Sequence, residues 1–257
     1  MPVANAIERS FYGYSLIIKS NFNCMKNFTS FHFKPITLFF LIALTALTSC
    51  KKTDTVDPTI SYLRVINASP SLATYNTYFN GNMVNSAALP FGGAISYLSS
   101  PAGTYSLKFT TASSAESLLT KNITLNASTY YSSYLINKPG ALDIYTIGDD
   151  LSIPSTDKAY IRFINLSPDA PALDLAKTSA TTSLVTNKAF RTASSFIAVD
   201  AGTYTLDAKE TSSGAVKATS ESTSFTAGYH YDIICGGLVT PANDTERPLS
   251  LQVIIIK

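Results

Sequence analysis

The chain repeats itself at an interval of about one hundred residues, and this limits its folds more than any other feature. Tyr62-Leu-Arg-Val-Ile-Asn-Ala-Ser-Pro70 returns 98 residues later as Tyr160-Ile-Arg-Phe-Ile-Asn-Leu-Ser-Pro168. Ala102-Gly-Thr-Tyr-Ser-Leu107 returns after 99 as Ala201-Gly-Thr-Tyr-Thr-Leu206, and Leu125-Asn-Ala-Ser-Thr-Tyr-Tyr131 aligns after 100 with Phe225-Thr-Ala-Gly-Tyr-His-Tyr231. Three matches in one order at nearly one spacing mark tandem domains, because the units of a solenoid are far shorter, roughly 20–45 residues.

Each copy reads as strands: short runs of Tyr, Phe, Val, Ile and Thr broken by Gly, Pro, Asn and Asp. In the first copy strands are expected at 62–66, 75–79, 95–99, 104–110, 118–125, 129–136 and 142–147. Their counterparts fall at 160–164, 172–176, 195–199, 203–209, 216–225, 229–235 and 250–256. Asn80-Gly81 marks a tight hairpin, since both residue types tolerate the positive φ it requires. The expected fold is all-β: two tandem immunoglobulin-like antiparallel β-sandwiches, over 60–150 and 158–257.

Ahead of the repeats stands a processing segment. Lys26 and Lys34 are followed by the apolar run Ile36 to Thr48 and then Leu47-Thr48-Ser49-Cys50, the pattern of a lipoprotein signal cleaved before Cys50. The run is shorter than the roughly 20 apolar residues a spanning helix needs. The competing reading is an ordinary secretory signal with a chance cysteine. Cys50 is therefore the expected lipidation site, with residues 25–49 the signal, 1–24 an upstream non-structural segment and 50–59 a polar tether. Asp54-Thr55-Val56 resembles an Asp-Ser/Thr-apolar O-glycosylation sequence of bacteria, which makes Thr55 a candidate. The expected location is the bacterial outer membrane, with a periplasmic or an outward face left open by Lys51-Lys52.

Charge argues against nucleic acid. Removal of residues 1–49 takes away Arg9, Lys19, Lys26, Lys34 and Glu8, so the net charge of +2 becomes about −1. With Cys50 lipidated, Cys235 has no thiol to pair with, and its surroundings Tyr231-Asp-Ile-Ile-Cys-Gly236 suit a small buried hydrophobe.

The Asn-Ala/Leu-Ser-Pro motif after the first strand of each copy has a mechanical reading. Asn67 and Asn165 fold their amides onto nearby backbone, while Pro70 and Pro168 fix φ and end pairing. Arg64 and Arg162 alternate with apolar neighbours and so point away from the sandwich core, toward solvent or a carboxylate. Tyr105 and Tyr204, after Gly-Thr, are expected to bury their rings and hydrogen-bond their hydroxyls as structural pins. Tyr75, Tyr78, Tyr97, Tyr130, Tyr131, Tyr134 and Tyr145 crowd the first copy, and any that face outward suit protein or carbohydrate recognition.

Arg162-Phe-Ile-Asn-Leu-Ser-Pro-Asp-Ala-Pro-Ala-Leu-Asp174 resembles the opening signature of domain of unknown function 4397, found in envelope lipoproteins of Bacteroidota, and the later Ala-Gly-Thr-Tyr fits it too. The resemblance implies a β-sandwich and an envelope location, with no established activity. On it, Asn67, Ser69, Pro70, Asn165, Ser167, Pro168, Asp169, Pro171 and Asp174 are motif residues with structural roles. The first copy departs from the signature, with Ser71-Leu-Ala-Thr74 after the proline and Asn76 or Thr77 near the later acid.

Site chemistry is sparse. His230 stands among strand residues without metal-ligand spacing, and Asp149-Asp150 with Asp157 reads as a solvated linker more than as a calcium site. No phosphate-binding glycine loop or nucleophile elbow is present. The sequence therefore points to a non-enzymatic, membrane-anchored binding or structural module without cofactor, catalytic residue or metal. Its expected partners are the membrane through Cys50 and envelope proteins or glycans. The alternative is a glycan-binding accessory of a polysaccharide uptake system.

Overall fold

The computed structural model describes residues 58–256, and no helix forms among them. Cys50 and Thr55 lie outside the described residues. The first half carries β1 (Ile60–Asn67), β2 (Tyr75–Phe79), β3 (Asn82–Met83), β4 (Ala94–Pro101), β5 (Gly103–Thr111), β6 (Leu119–Leu125), β7 (Tyr130–Ile136) and β8 (Asp143–Asp149). The second carries β9 (Lys158–Asn165), β10 (Leu173–Lys177), β11 (Ser183–Lys188), β12 (Thr192–Ala193), β13 (Ile197–Asp200), β14 (Gly202–Tyr204), β15 (Leu206–Glu210), β16 (Val216–Thr219), β17 (Thr223–Phe225), β18 (His230–Gly236) and β19 (Ser250–Ile255).

Strand order repeats as the sequence does. In the first half one sheet runs β4-β1-β7-β8 and the other β3-β2-β5-β6. In the second, β12 and β13 share the edge of β9-β18-β19, while β11-β10-β15-β16 and the pair β14-β17 form the facing layer. The strands continuous in β5 and β6 are thus broken in their second-half counterparts. One feature departs from a purely antiparallel sandwich: β1 pairs β7 in parallel, and β9 pairs β18 likewise. Asn80 (φ 49°) and Gly81 (φ 85°) form the hairpin turn between β2 and β3. β11 and the two short strands β3 and β12 are additions to the expected strands.

Each sandwich has its own core. Leu63, Val65, Tyr75, Leu107, Phe109 and Leu135 fill the first; Ile161, Phe163, Leu175, Phe225, Tyr231 and Ile233 fill the second. Cys235 is fully buried in the latter, and burial pushes its thiol up to about 12, so it behaves as a small apolar side chain. Tyr105 and Tyr204 donate their hydroxyls to the carbonyls of Pro101 (2.8 Å) and Asp200 (3.2 Å), the same pin four residues upstream in each half. Tyr131 and Tyr231 repeat a second pin, accepting the N–H groups of Asn126 and Thr226.

A third core lies between the halves. Ile66, Ala68, Tyr134, Ile136, Ile164, Leu166 and Ile234, from β1, β7, β9, β18 and their exits, pack together with almost no exposure. Hence β1 and β9 are buried on both faces, and their alternation leaves no solvent side. Each fully buried Ile or Leu contributes about 1.5–3 kcal/mol. The loop between β18 and β19 also crosses to the first half: Arg247 N–H donates to Pro70 O (3.1 Å), Leu72 N–H to Thr245 O (2.8 Å), and Lys138 pairs with Glu246 at 2.7 Å. Arg191 reaches Asp143 at 2.8 Å on another side.

Candidate functional site

Where the middle core ends, a charged cluster takes its place. Alternation turns Leu63 and Val65 into the first sandwich and Arg64 out of it, and it does the same for Ile161, Phe163 and Arg162. Outward here means toward the other half. Arg64 and Arg162 are only 4% and 2% exposed, which resolves the alternatives in favour of carboxylate pairing.

Arg162 is held from several directions. Its Nε donates to Asp232 Oδ1 at 2.8 Å, its Nη2 lies 2.7 Å from Asp149 Oδ1, and its Nη1 donates to Gly148 O at 3.1 Å. Arg64 is held more loosely: its Nη2 lies 3.4 Å from Oδ2 of the same Asp232 and its Nη1 donates to Ile255 O at 3.3 Å. Gly148 and Ile255 are equivalent, because the first pairs Tyr131 and the second pairs Tyr231. The two halves thus face each other about a local pseudo-twofold axis.

Asp232 is the shared acceptor. It is fully buried on β18 beside Arg162, and Tyr134 donates to its Oδ2 at 2.5 Å. Asp149 accepts from Tyr97 OH at 2.6 Å and Ser132 Oγ at 2.8 Å. Two guanidinium groups and two carboxylates balance, so no net charge is buried. Burial raises the Tyr134 and Tyr97 phenols far above their ordinary value, with Asp232 and Asp149 adding to it, and keeps them as proton donors. Burial alone would lower Arg162, yet Asp232, Tyr134 and Asp149 raise it above the usual guanidinium range.

Asp149 was expected in the linker, but it closes β8 and points inward. The linker reading holds for Asp150, which accepts Ser152 N–H, and for Asp157, which accepts Ser155 Oγ. Among the described residues no group of three His, Cys, Asp or Glu is placed to hold a metal ion. His230 is buried, stacked on Tyr160 at 4.9 Å and edge-on to Phe196, with Nε2 3.1 Å from Ser152 O.

Each arginine floors a cavity. The one beside Arg162, about 450 Å³, is walled by the end of β8, the connection Asp150–Ser155, Tyr160, and Ser194 to Ala198. Its counterpart beside Arg64, about 170 Å³, is walled by Ala94 to Tyr97 with Ile255 and Ile256. Phe196 takes the place of Tyr97, and each ring carries its arginine, at 4.5 Å and 6.0 Å from the centroid.

The motif residues lie elsewhere and act on the backbone. Asn67 Oδ1 accepts Ser69 N–H (3.0 Å) and its Nδ2 donates to Leu89 O (3.0 Å); Asn165 repeats this with Ser167 N–H (3.1 Å) and Lys188 O (3.0 Å). Asn165 also donates to Pro171 O at 3.3 Å, and Ser69 Oγ donates to Asn137 O at 2.7 Å. Pro70, buried, and Pro168, half-buried, follow these turns. Asp169 accepts the N–H groups of Val239 and Thr240 at 2.9 and 3.0 Å as well as Ser167 Oγ. Asp174 accepts Asn187 N–H at 2.8 Å and Thr211 Oγ1 at 2.6 Å. These contacts tie loops down.

Of the tyrosines, Tyr75 and Tyr134 are fully buried, and Tyr62, Tyr97 and Tyr130 pack on one another, with Tyr62 and Tyr130 stacked at 4.4 Å. Tyr131 turns from Tyr130 into the first core, as strand alternation requires.

Residues 61–176 match the model of the family described as Domain of unknown function (DUF4397), from β1 through the first two strands of the second half. No curated protein matches it in sequence. Among solved structures, the chain is similar over 76% of its length to 95% of CBMbc, a family CBM26 module of Eubacterium rectale Amy13K in complex with maltoheptaose, at 8% identity and a TM-score of 0.25. It is similar over 70% of its length to 34% of the Bacillus anthracis TIE protein, at 13% identity and a TM-score of 0.23. Neither likeness bears on function at such distance.

Proposed function

We propose that this chain is a non-enzymatic envelope lipoprotein, held on the outer membrane by lipid on Cys50, whose paired sandwiches act as one rigid binding or structural module. The observation that carries the module is the sealed interface: an apolar core and a balanced ion cluster join the halves, so that they present fixed surfaces. The anchor rests on the Leu47-Thr48-Ser49-Cys50 pattern, and the tether 50–59 spans at most about 35 Å when extended. Two or three acyl chains hold such a domain firmly, at about 0.8 kcal/mol per buried methylene. Membrane fractionation tests this: Cys50→Ala should move the protein to the soluble fraction, and unchanged partitioning would refute the anchor. Thr55 is the proposed O-glycosylation site, read as a glycan mass lost in Thr55→Ala.

A second reading, a glycan-binding accessory of a polysaccharide uptake system, is supported by the cavity beside Arg162 rather than by tyrosine platforms. Most tyrosines of the first half are at least partly buried by their neighbours.

A further inference from the structure

We infer that the cavity beside Arg162 binds a single neutral sugar ring. The inference deepens the binding-module reading and is independent of the anchor.

The cavity's size falls within the range of small-ligand pockets, roughly 300–1,000 Å³, at about 450 Å³. Its charge balance selects the ligand. Arg162 lines it, but its guanidinium is committed to Asp149 and Asp232, so it offers no net positive charge to an anion. Asp150 at the rim adds a negative charge, which further disfavours anions. A cation gains little from the aromatic wall, because the Arg162 guanidinium already covers one face of the Phe196 ring, 4.5 Å from its centroid.

What remains are short polar groups beside apolar ones. Ser194 Oγ accepts the Phe163 N–H and keeps its own proton to donate; Ser195 and Ser152 are exposed. Phe196, Pro154 and Ala198 supply apolar surface. Hydroxyls and a carboxylate lining one cavity with a partly exposed aromatic ring match a molecule with a rim of hydroxyls and an apolar face, which is the chemistry of a pyranose. The cavity beside Arg64 supplies the internal control. There Ile255 and Ile256 form the wall that Gly148 and Asp150 form beside Arg162, and only about 170 Å³ is open.

Saturation-transfer NMR on the purified protein tests this with methyl glucoside, methyl galactoside, methyl mannoside and N-acetylglucosamine, and with glucuronate and choline as charged controls. At least one neutral sugar should bind with a millimolar Kd. Ser195→Trp, at an exposed position, should weaken it about tenfold or more, whereas Ser96→Trp at the smaller cavity should not. Ala198→Trp is the second obstructing variant, and thermal melting checks that all three fold. The inference is overturned if no neutral sugar binds, if glucuronate or choline binds more tightly, or if both obstructing variants leave binding unchanged. Release of Cys50→Ala from the membrane would be unaffected by any of these results.

Discussion

Arg64 and Arg162 occupy equivalent positions 98 residues apart, yet the protein holds them differently. Arg162 meets two carboxylates at 2.7–2.8 Å, whereas Arg64 reaches one at 3.4 Å, and its Nε has no hydrogen-bond partner among the described residues. The difference arises in the strands beside them. The residue paired with Arg162 is Asp232, but the one paired with Arg64 is Ser132. Asp149 ends β8, and its second-half counterpart is Ile256. Both carboxylates therefore lie nearer Arg162. The aromatic partners follow suit, since the Tyr97 hydroxyl has Asp149 to bind while Phe196 faces no such acceptor. A duplicated sheet can thus keep its twofold backbone while its charges become one-sided, with one cavity closed down and the other left open.

The comparison is broken most directly at the shared acceptor. Asp232→Ala leaves both arginines and Tyr134 without their common partner, and a buried ion pair cut on one side costs about 3–5 kcal/mol. Urea unfolding should show this as a lower midpoint, and a change below about 1 kcal/mol would mean that the cluster does not secure the interface. Next in size is the contrast between the arginines. Arg162→Gln should cost roughly 3 kcal/mol, and Arg64→Gln nearer 1 kcal/mol; equal losses in the same titration would remove the asymmetry.

A smaller effect separates the strand exits. Asn137 (φ 66°) and Gly237 (φ 90°) follow β7 and β18 at equivalent positions, but a Cβ on Gly237 would lie 2.1 Å from Pro248 O. Gly237→Asn should therefore destabilise by about 2 kcal/mol or more, while Asn137→Gly stays within about 1 kcal/mol. Equal melting temperatures for the pair would refute the crowding argument.

The smallest effect is on the acid limb. Burial opposes ionisation of Asp169 and Asp174, but Val239 and Thr240 N–H on the first, and Thr211 with Asn187 N–H on the second, hold both below the ordinary carboxylate value. Their folded pKa being depressed, their contribution is complete above about pH 3.9, the unfolded value, and fades as pH falls through the folded one. Asp169→Asn and Asp174→Asn should flatten the loss of stability below about pH 4 and lower stability at neutral pH. The first half lacks these acids, and an acid limb insensitive to both changes would locate it elsewhere.

Much of this was legible before the fold was seen. The strand expected at 104–110 forms over Gly103–Thr111, and the Asn-x-Ser-Pro turns close on their own backbone, because both depend on neighbours close in the chain. Ser183–Lys188 escaped notice, since only Leu184 and Val185 in it are apolar. Asp232 was missed although its signal is plain: one acid inside Tyr231-Asp-Ile-Ile-Cys235, where water-facing alternation is absent.

The amino-acid order alone determined two equivalent β halves, the inward face of each strand and the pins that fix their turns, because side-chain alternation and turn chemistry act over a few residues. Only the tertiary structure decided what the other face of β1 and β9 would meet. An arginine facing away from one core is solvated or buried according to what packs there, and here the shared partner Asp232 lies 70 residues from Arg162 and 168 from Arg64.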